Sequence, residues 1–309
     1  MSSLTEHFFL DRGFRDVGDL LTEKGFEVLM PAFLTSGQNQ FTAQQCNENK
    51  IITKLRQIVE CVHGDLKTVY TKFQGRVRNR ALLSSLSDWK NMCAMYNVHH
   101  ERRETDVGNE NAVAQKLLEN RDNPNLLKTV VLDNRLNSKH RMFTPTSFED
   151  RTESPFPSMT EEEVYFCCAG NYSKENAMSY IRDHLKRKSV IGVQIARSLT
   201  DLDLSGFGDL PTPLRLLKCK VPSRFSRNKD HYCYILFNHL IPGPDGVFAS
   251  YCTCKSGART NATCGHLTSL IWYFGYARNQ AVSPITPHML ESLYNTRFVD
   301  GQLVSDDEM

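Results

Sequence analysis

Four residues able to ligate a metal, Cys252, Cys254, Cys264 and His266, fall within CTCKSGARTNATCGH, residues 252 to 266 of a 309-residue chain. A CxC pair is followed after nine residues by a CxH pair. Three thiolates and an imidazole form a closed tetrahedral set of the kind that a structural Zn²⁺ takes. The flanks must position them. PDGVFASY (244–251) reads as a turn feeding a strand, and HLTSLIWYFGYA (266–277) as a helix with Leu267, Leu270, Ile271 and Phe274 at i, i+3, i+4, i+7. A metal would then pin a hairpin to a helix. The same residues also read as ordinary buried thiols beside a helix-start histidine, or as disulfide partners. Ten unevenly spaced cysteines, behind an amino terminus too polar for a secretory leader, point to reduced intracellular thiols.

CxCx9CxH opening a helix resembles a SWIM-type zinc finger, and YCTCKSGARTNATCGHLTSLIWYFGYAR resembles the version fused to transposon-derived proteins. The resemblance implies a nuclear, DNA-associated setting. It also implies a finger that helps to contact nucleic acid, with a protein partner as the alternative.

A second constellation lies on a helix expected over 42–70. Thr42 and Gln45 make a capping box, and Ile51, Ile52, Leu55, Ile58, Val59, Val62, Leu66 and Val69 form one stripe. Arg56, Glu60, His63 and Lys67 share another face at spacings of four, three and four. By spacing alone that face is a solvated salt-bridge ladder. DRGF (11–14), MPAFL (30–34) and ITKLRQIVECVHGDLK (52–67), in that order, resemble the latter part of a Harbinger/PIF-type DDE transposase domain. What the resemblance implies is a partial RNase H-like α/β domain over 1–98. In it Asp11 begins the DRGF-like motif as the second catalytic aspartate, and Glu60 is the catalytic glutamate of the RxxVE motif.

Such carboxylates would hold Mg²⁺ ions that stabilise the attacking and leaving oxygens of an in-line displacement at phosphorus. The family's first aspartate belongs on an earlier strand, and only ten residues precede Asp11. The expectation is therefore a DDE-derived segment that is catalytically incomplete, with Mg²⁺-dependent endonuclease or transposase activity only if a longer form supplies that residue.

Net charge is +2, but between residues 50 and 80 eight bases face two acids. Arg56, Lys67, Lys72, Arg76, Arg78 and Arg80 make this the candidate nucleic-acid contact. No apolar run approaches the ~20 residues of a bilayer span, so a soluble protein is expected. A strand over 1–10, a short helix with Val17, Leu20 and Leu21, a stop at Gly25 and a strand at EVLMP (27–31) open the first domain. A helical pattern through Leu82, Leu83, Leu86 and Trp89 closes it near residue 98.

Residues 99–160 read as a polar linker with one short helix near Ala112 to Asn120. Residues 161–290 read as a small α+β domain. It comprises a helix over 173–188, strands at 190–196, 213–221 and 231–240, and an antiparallel sheet closed by the finger helix. SRFSRNK (223–229) reads as a basic loop, Cys167, Cys168, Cys219 and Cys233 as core, and 291–309 as a tail ending in Asp306, Asp307 and Glu308.

Overall fold

The structure is a computed structural model that describes residues 7–76, 79–99, 110–149, 151–169, 176–181, 191–223, 226, 229–280, 296–299 and 302–305. The chain divides into two units, Met1–Phe33 with Glu48–Ala112, and Leu34–Asn47 with Val113–Met309.

In the first unit β1 (His7–Phe9) and β2 (Glu27–Leu29) pair in parallel. Parallel strands need a crossover, and α1 (Arg15–Glu23) supplies it. Gly25 follows α1 at φ 87°, a left-handed position that glycine adopts without steric cost. Helix α2 runs Ala43–Val69. Thr42 Oγ1 accepts from the Gln45 N–H, and Gln45 Oε1 from the Thr42 N–H, so the expected capping box forms. Helix α3 spans Leu82–His99.

The apolar stripe of α2 is covered only in part. Ile52 and Leu66 are buried, whereas Ile58, Val59 and Val69 are exposed, as are Leu82, Leu83 and Leu86 on α3. The reason is geometric: two three-residue strands are the only sheet among the described residues of this unit, too little to cover a 27-residue helix.

The second unit is built on a five-stranded antiparallel sheet. Its strands are β3 (Phe143–Pro145), β4 (Gly192–Ala196), β5 (Arg215–Pro222), β6 (Asp230–Phe237) and β7 (Val247–Cys252), in chain order across the sheet. Side chains alternate between faces. Leu217, Cys219, Val221, Cys233, Ile235 and Phe237 point into one core, shared with α6 (Glu161–Cys168), the helical residues 176–181 (α7) and α8 (Gly265–Ile271). Leu216, Tyr234 and Leu236 are buried on the opposite face, which explains why β6 reads as a continuous apolar run rather than an alternating one.

The polar span 99–160 is not a linker where it is described. Helix α4 (Glu110–Glu119) falls where the one short helix was expected, and helix α5 (Leu126–Asp133) and strand β3 also lie within it. Val113, Leu117, Leu127, Val131, Phe143 and Phe156 are buried there; the Asn, Asp and charged residues between the first four, and the Pro, Ser and Thr between the last two, mask the apolar pattern in the sequence. The expected 291–309 tail contains an antiparallel pair, β8 (Thr296–Val299) with β9 (Gln302–Ser305). Asp306, Asp307, Glu308, Ser173 and most of 223–229 lie outside the described residues.

One polar residue sits where the alternation predicts an apolar one. Lys218, on β5 opposite Tyr234, is 1% exposed. Its amine donates to the Leu136 and Asn137 carbonyls at 2.9 and 3.3 Å and lies 4.8 Å from the Phe143 ring centroid. Burial pushes its pKa down. A lysine with a folded pKa below its unfolded value binds fewer protons when folded, so its contribution to stability rises with pH. In thermal melts, wild type should gain on a Lys218→Met variant as pH is raised from about 7 to about 10, the unfolded lysine pKa being about 10.4.

Candidate metal centre

The end of β7, the turn after it and the start of α8 bring Cys252, Cys254, Cys264 and His266 together. Cys252 is the last residue of β7, Cys264 precedes the first residue of α8, and His266 is the second residue of that helix. Between the two cysteines of the CxC pair the backbone makes a tight knuckle. The Cys252 N–H donates to the Gly257 carbonyl at 3.0 Å, the Gly257 N–H to the Cys254 carbonyl at 3.0 Å, and the Cys254 N–H to Cys252 Sγ at 3.4 Å. A Cβ on residue 257 would stand 2.1 Å from the Cys252 carbonyl oxygen, so the turn closes only around glycine.

All four ligand atoms lie within 4.8 Å of one another, and Cys252 Sγ is 3.8 Å from His266 Nδ1. Zn–S bonds of about 2.3 Å and Zn–N bonds of about 2.0 Å in a tetrahedron set ligand atoms about 3.5–3.8 Å apart. The quartet is compatible with zinc after a small contraction at its widest pair. All ten cysteines are free thiols, which removes the disulfide reading.

The three sulfurs are buried and the imidazole half-buried. Charge in this cluster concentrates on Cys254, whose pKa is pushed down by hydrogen bonds from Cys252, then from Cys264, with His266 adding to them. Cys252 is pushed up, first by burial and then by its bond to Cys233, and Cys264 by its bonds to Cys252 and Cys254 and by burial. A divalent cation would reverse this, because a coordinating thiol is deprotonated outright.

Residues far away in sequence hold the knuckle. Gln40 Nε2 donates to the carbonyls of Cys252 and Cys254 at 2.8 and 2.7 Å, and the Phe41 N–H donates to that of Lys255. Asn47, fully buried, accepts from the Thr260 and Asn261 N–H groups and donates to Thr260 Oγ1 and to the Asn120 and Arg121 carbonyls. Sequence reasoning missed both, since neither carries a local signal for a partner more than two hundred residues away. Gly257 was the one legible omission, as the glycine between two ligand pairs. Cys219 and Cys233 are buried core thiols, as expected, and Cys233 stands opposite Cys252 across the β6–β7 ladder.

The first unit gathers the other constellation. Asp11 accepts from the Arg12 N–H, and the Arg12 guanidinium donates to the Pro31 and Ala32 carbonyls, tying the DRGF and MPAF blocks together. Arg56 Nη2 reaches Asp11 Oδ2 at 2.9 Å and Glu60 Oε1 at 2.8 Å, so both expected catalytic carboxylates meet on one nitrogen. Residues 2–97 match the DDE superfamily endonuclease family model. No curated protein and no solved structure matches the chain.

In this DDE-like segment the pair is held by a guanidinium, and among the described residues no third carboxyl, Cys or His joins it as a metal cluster. Of the basic patch, Lys72 pairs with Asp88, Lys67, Arg76 and Arg80 are exposed, and Arg78 lies outside the described residues. No described helix is long and apolar enough to cross a membrane.

Two outcomes follow for the quartet. Elemental analysis should find about one zinc per chain in wild type and in Cys61→Ser, and close to none in Cys264→Ala. Gly257→Ala should also lose metal and about 1–3 kcal/mol of stability, because the knuckle must open to admit the methyl group.

Proposed function

We propose that this is a zinc-binding, transposon-derived protein in which a SWIM-type finger, folded around Cys252, Cys254, Cys264 and His266, presents a nucleic-acid-binding domain in the nucleus. A Harbinger/PIF-type DDE segment retains two of its carboxylates. The observation that supports this reading is the Cys3His quartet, three buried sulfurs and a half-buried imidazole whose ligand atoms all lie within 4.8 Å of one another. Zinc would be structural, since four protein ligands leave no open position for substrate. Asp11 and Glu60 would bind a divalent ion only after Arg56 gives up both contacts, and a pair without a third carboxylate is a weak clamp for Mg²⁺.

Two measurements test the reading. Thermal unfolding before and after chelation should show a loss of stability in the zinc-loaded protein, and zinc retention should fall as pH is lowered, because protons compete for the high-pKa thiols of Cys252 and Cys264. An unchanged melt after complete metal removal would sink the structural role. Binding of a labelled DNA duplex should weaken steeply with salt. Replacing Lys67, Arg76 and Arg80 by Gln should reduce the salt slope by about one per side chain that touches phosphate. A partner that survives nuclease treatment in pull-downs, with no DNA bound, would favour a protein-binding adaptor instead.

The second reading, a Mg²⁺-dependent endonuclease, draws support from one geometric fact: the DRGF aspartate and the RxxVE glutamate converge on the same guanidinium. In that reaction the metal would supply charge stabilisation at the attacking and leaving oxygens, while Asp11 and Glu60 would hold it in place. Nicking of supercoiled DNA that needs Mg²⁺ and disappears in both Asp11→Ala and Glu60→Ala, with duplex binding intact, would establish it.

A further inference from the structure

Behind the finger loop the second unit contains a cleft of about 480 Å³ that holds none of the four ligands. One wall is the loop itself at 259–263, another is β7, and the third is the end of α4 with the start of α5. Its volume lies within the roughly 300–1,000 Å³ range of small-ligand sites.

The lining has a distinct chemistry. It contains two cations, Lys116 and Arg259, and no carboxylate. Arg259 spends its Nε on the Ser256 carbonyl at 3.1 Å, and neither cation forms an ion pair among the described residues. The Lys116 amine lies 4.2 Å from the Phe166 ring centroid, a contact that orients it without neutralising it. Glu163 and Asp245 act on Cys167, one of the lining residues, from outside the lining, and Glu163 is engaged in the capping box of α6.

The amides in the walls are mostly committed. Asn125 donates to the Ser250 carbonyl and accepts from Lys128, and Asn120 donates to the Lys116 carbonyl. They build the cleft and leave the cations to a ligand. Two half-buried rings, Phe207 and Phe248, complete it.

Two cations lining one cleft that has no carboxylate call for an anion, and flat apolar faces in a polar cleft call for a ring to stack on them. A nucleotide of single-stranded nucleic acid supplies both, whereas a phosphorylated peptide supplies the anion but no such ring. We propose that this cleft binds one nucleotide of a single-stranded nucleic acid, its phosphate on Lys116 and Arg259 and its base against Phe207 or Phe248. The site rests on the nucleic-acid reading above and gives it a place distinct from the basic patch of residues 67–80.

The experiment is fluorescence anisotropy on the zinc-loaded full chain, with a labelled oligothymidylate, a duplex of mixed sequence and a phosphoserine peptide as probes. Wild type should bind the single strand. Phe248→Ala and Lys116→Gln should each weaken that binding on the order of tenfold, the scale of one lost base stack or phosphate contact, with zinc content and melting temperature unchanged. Lys116 lies on α4, outside the 252–266 segment, so Lys116→Gln remains informative if an Arg259→Gln variant folds poorly.

Unchanged single-strand binding in both folded variants, with loss in the Lys67, Arg76, Arg80 triple variant, would overturn the cleft while sparing the wider reading. No binding of either nucleic acid would overturn both. Binding of the phosphopeptide that Lys116→Gln abolishes, without binding of oligothymidylate, would replace the nucleotide with another anion and overturn the assignment.

Discussion

A thiolate buried among other thiols is unstable unless something nearby carries opposite charge, and the second unit is organised around three such sulfurs and one imidazole. Burial and mutual hydrogen bonding push Cys252 and Cys264 towards their neutral forms and leave the negative charge on Cys254. A divalent cation does what a basic side chain cannot, since it takes all three sulfurs as ligands at once and satisfies the imidazole as well. The geometry of the quartet is compatible with a bound divalent cation.

That preparation reaches well beyond the ligands. The β6–β7 ladder fixes Cys252 by pairing it with Cys233, and the start of α8 fixes Cys264 and His266. The knuckle between them is irregular backbone, whose polar groups must still be paired. Gln40 meets two of its carbonyls and Asn47 meets two N–H groups of the following loop. Removing either amide would strand buried backbone groups next to the ligands, so the segment 34–47 belongs to the metal centre in energetic terms although it is remote in sequence.

How much of this was legible follows from the range of the signals. The quartet, the strand before it, the helix after it and the strands β4 to β6 all declare themselves within a few residues, through ligand spacing and apolar runs. The capping box at Thr42 and Gln45 is equally local. Helix α4 was expected near Ala112 to Asn120, whereas α5 was hidden behind the Asn, Asp and Pro that precede it, and it becomes core only against β7. Gln40, Asn47 and Lys218 were illegible for the same reason in stronger form: each is defined by partners that only the folded chain supplies.

The first unit presents the converse case, in which local signals are strong and the fold that should use them is thin. DRGF, MPAF and the Arg56–Glu60 helix are joined through Arg12, Asn49 and Arg56, so the three blocks form one connected network. Yet part of the apolar stripe of α2 and much of α3 face solvent, over a sheet of two short strands. A carboxylate pair on such a support has freedom to move, and Arg56 is what holds it together. The same guanidinium that keeps Asp11 and Glu60 in proximity also neutralises the charge that a catalytic metal would need. In this arrangement the arginine joins the two carboxylates of the DDE-like segment and offsets the negative charge that would otherwise draw a cation to them.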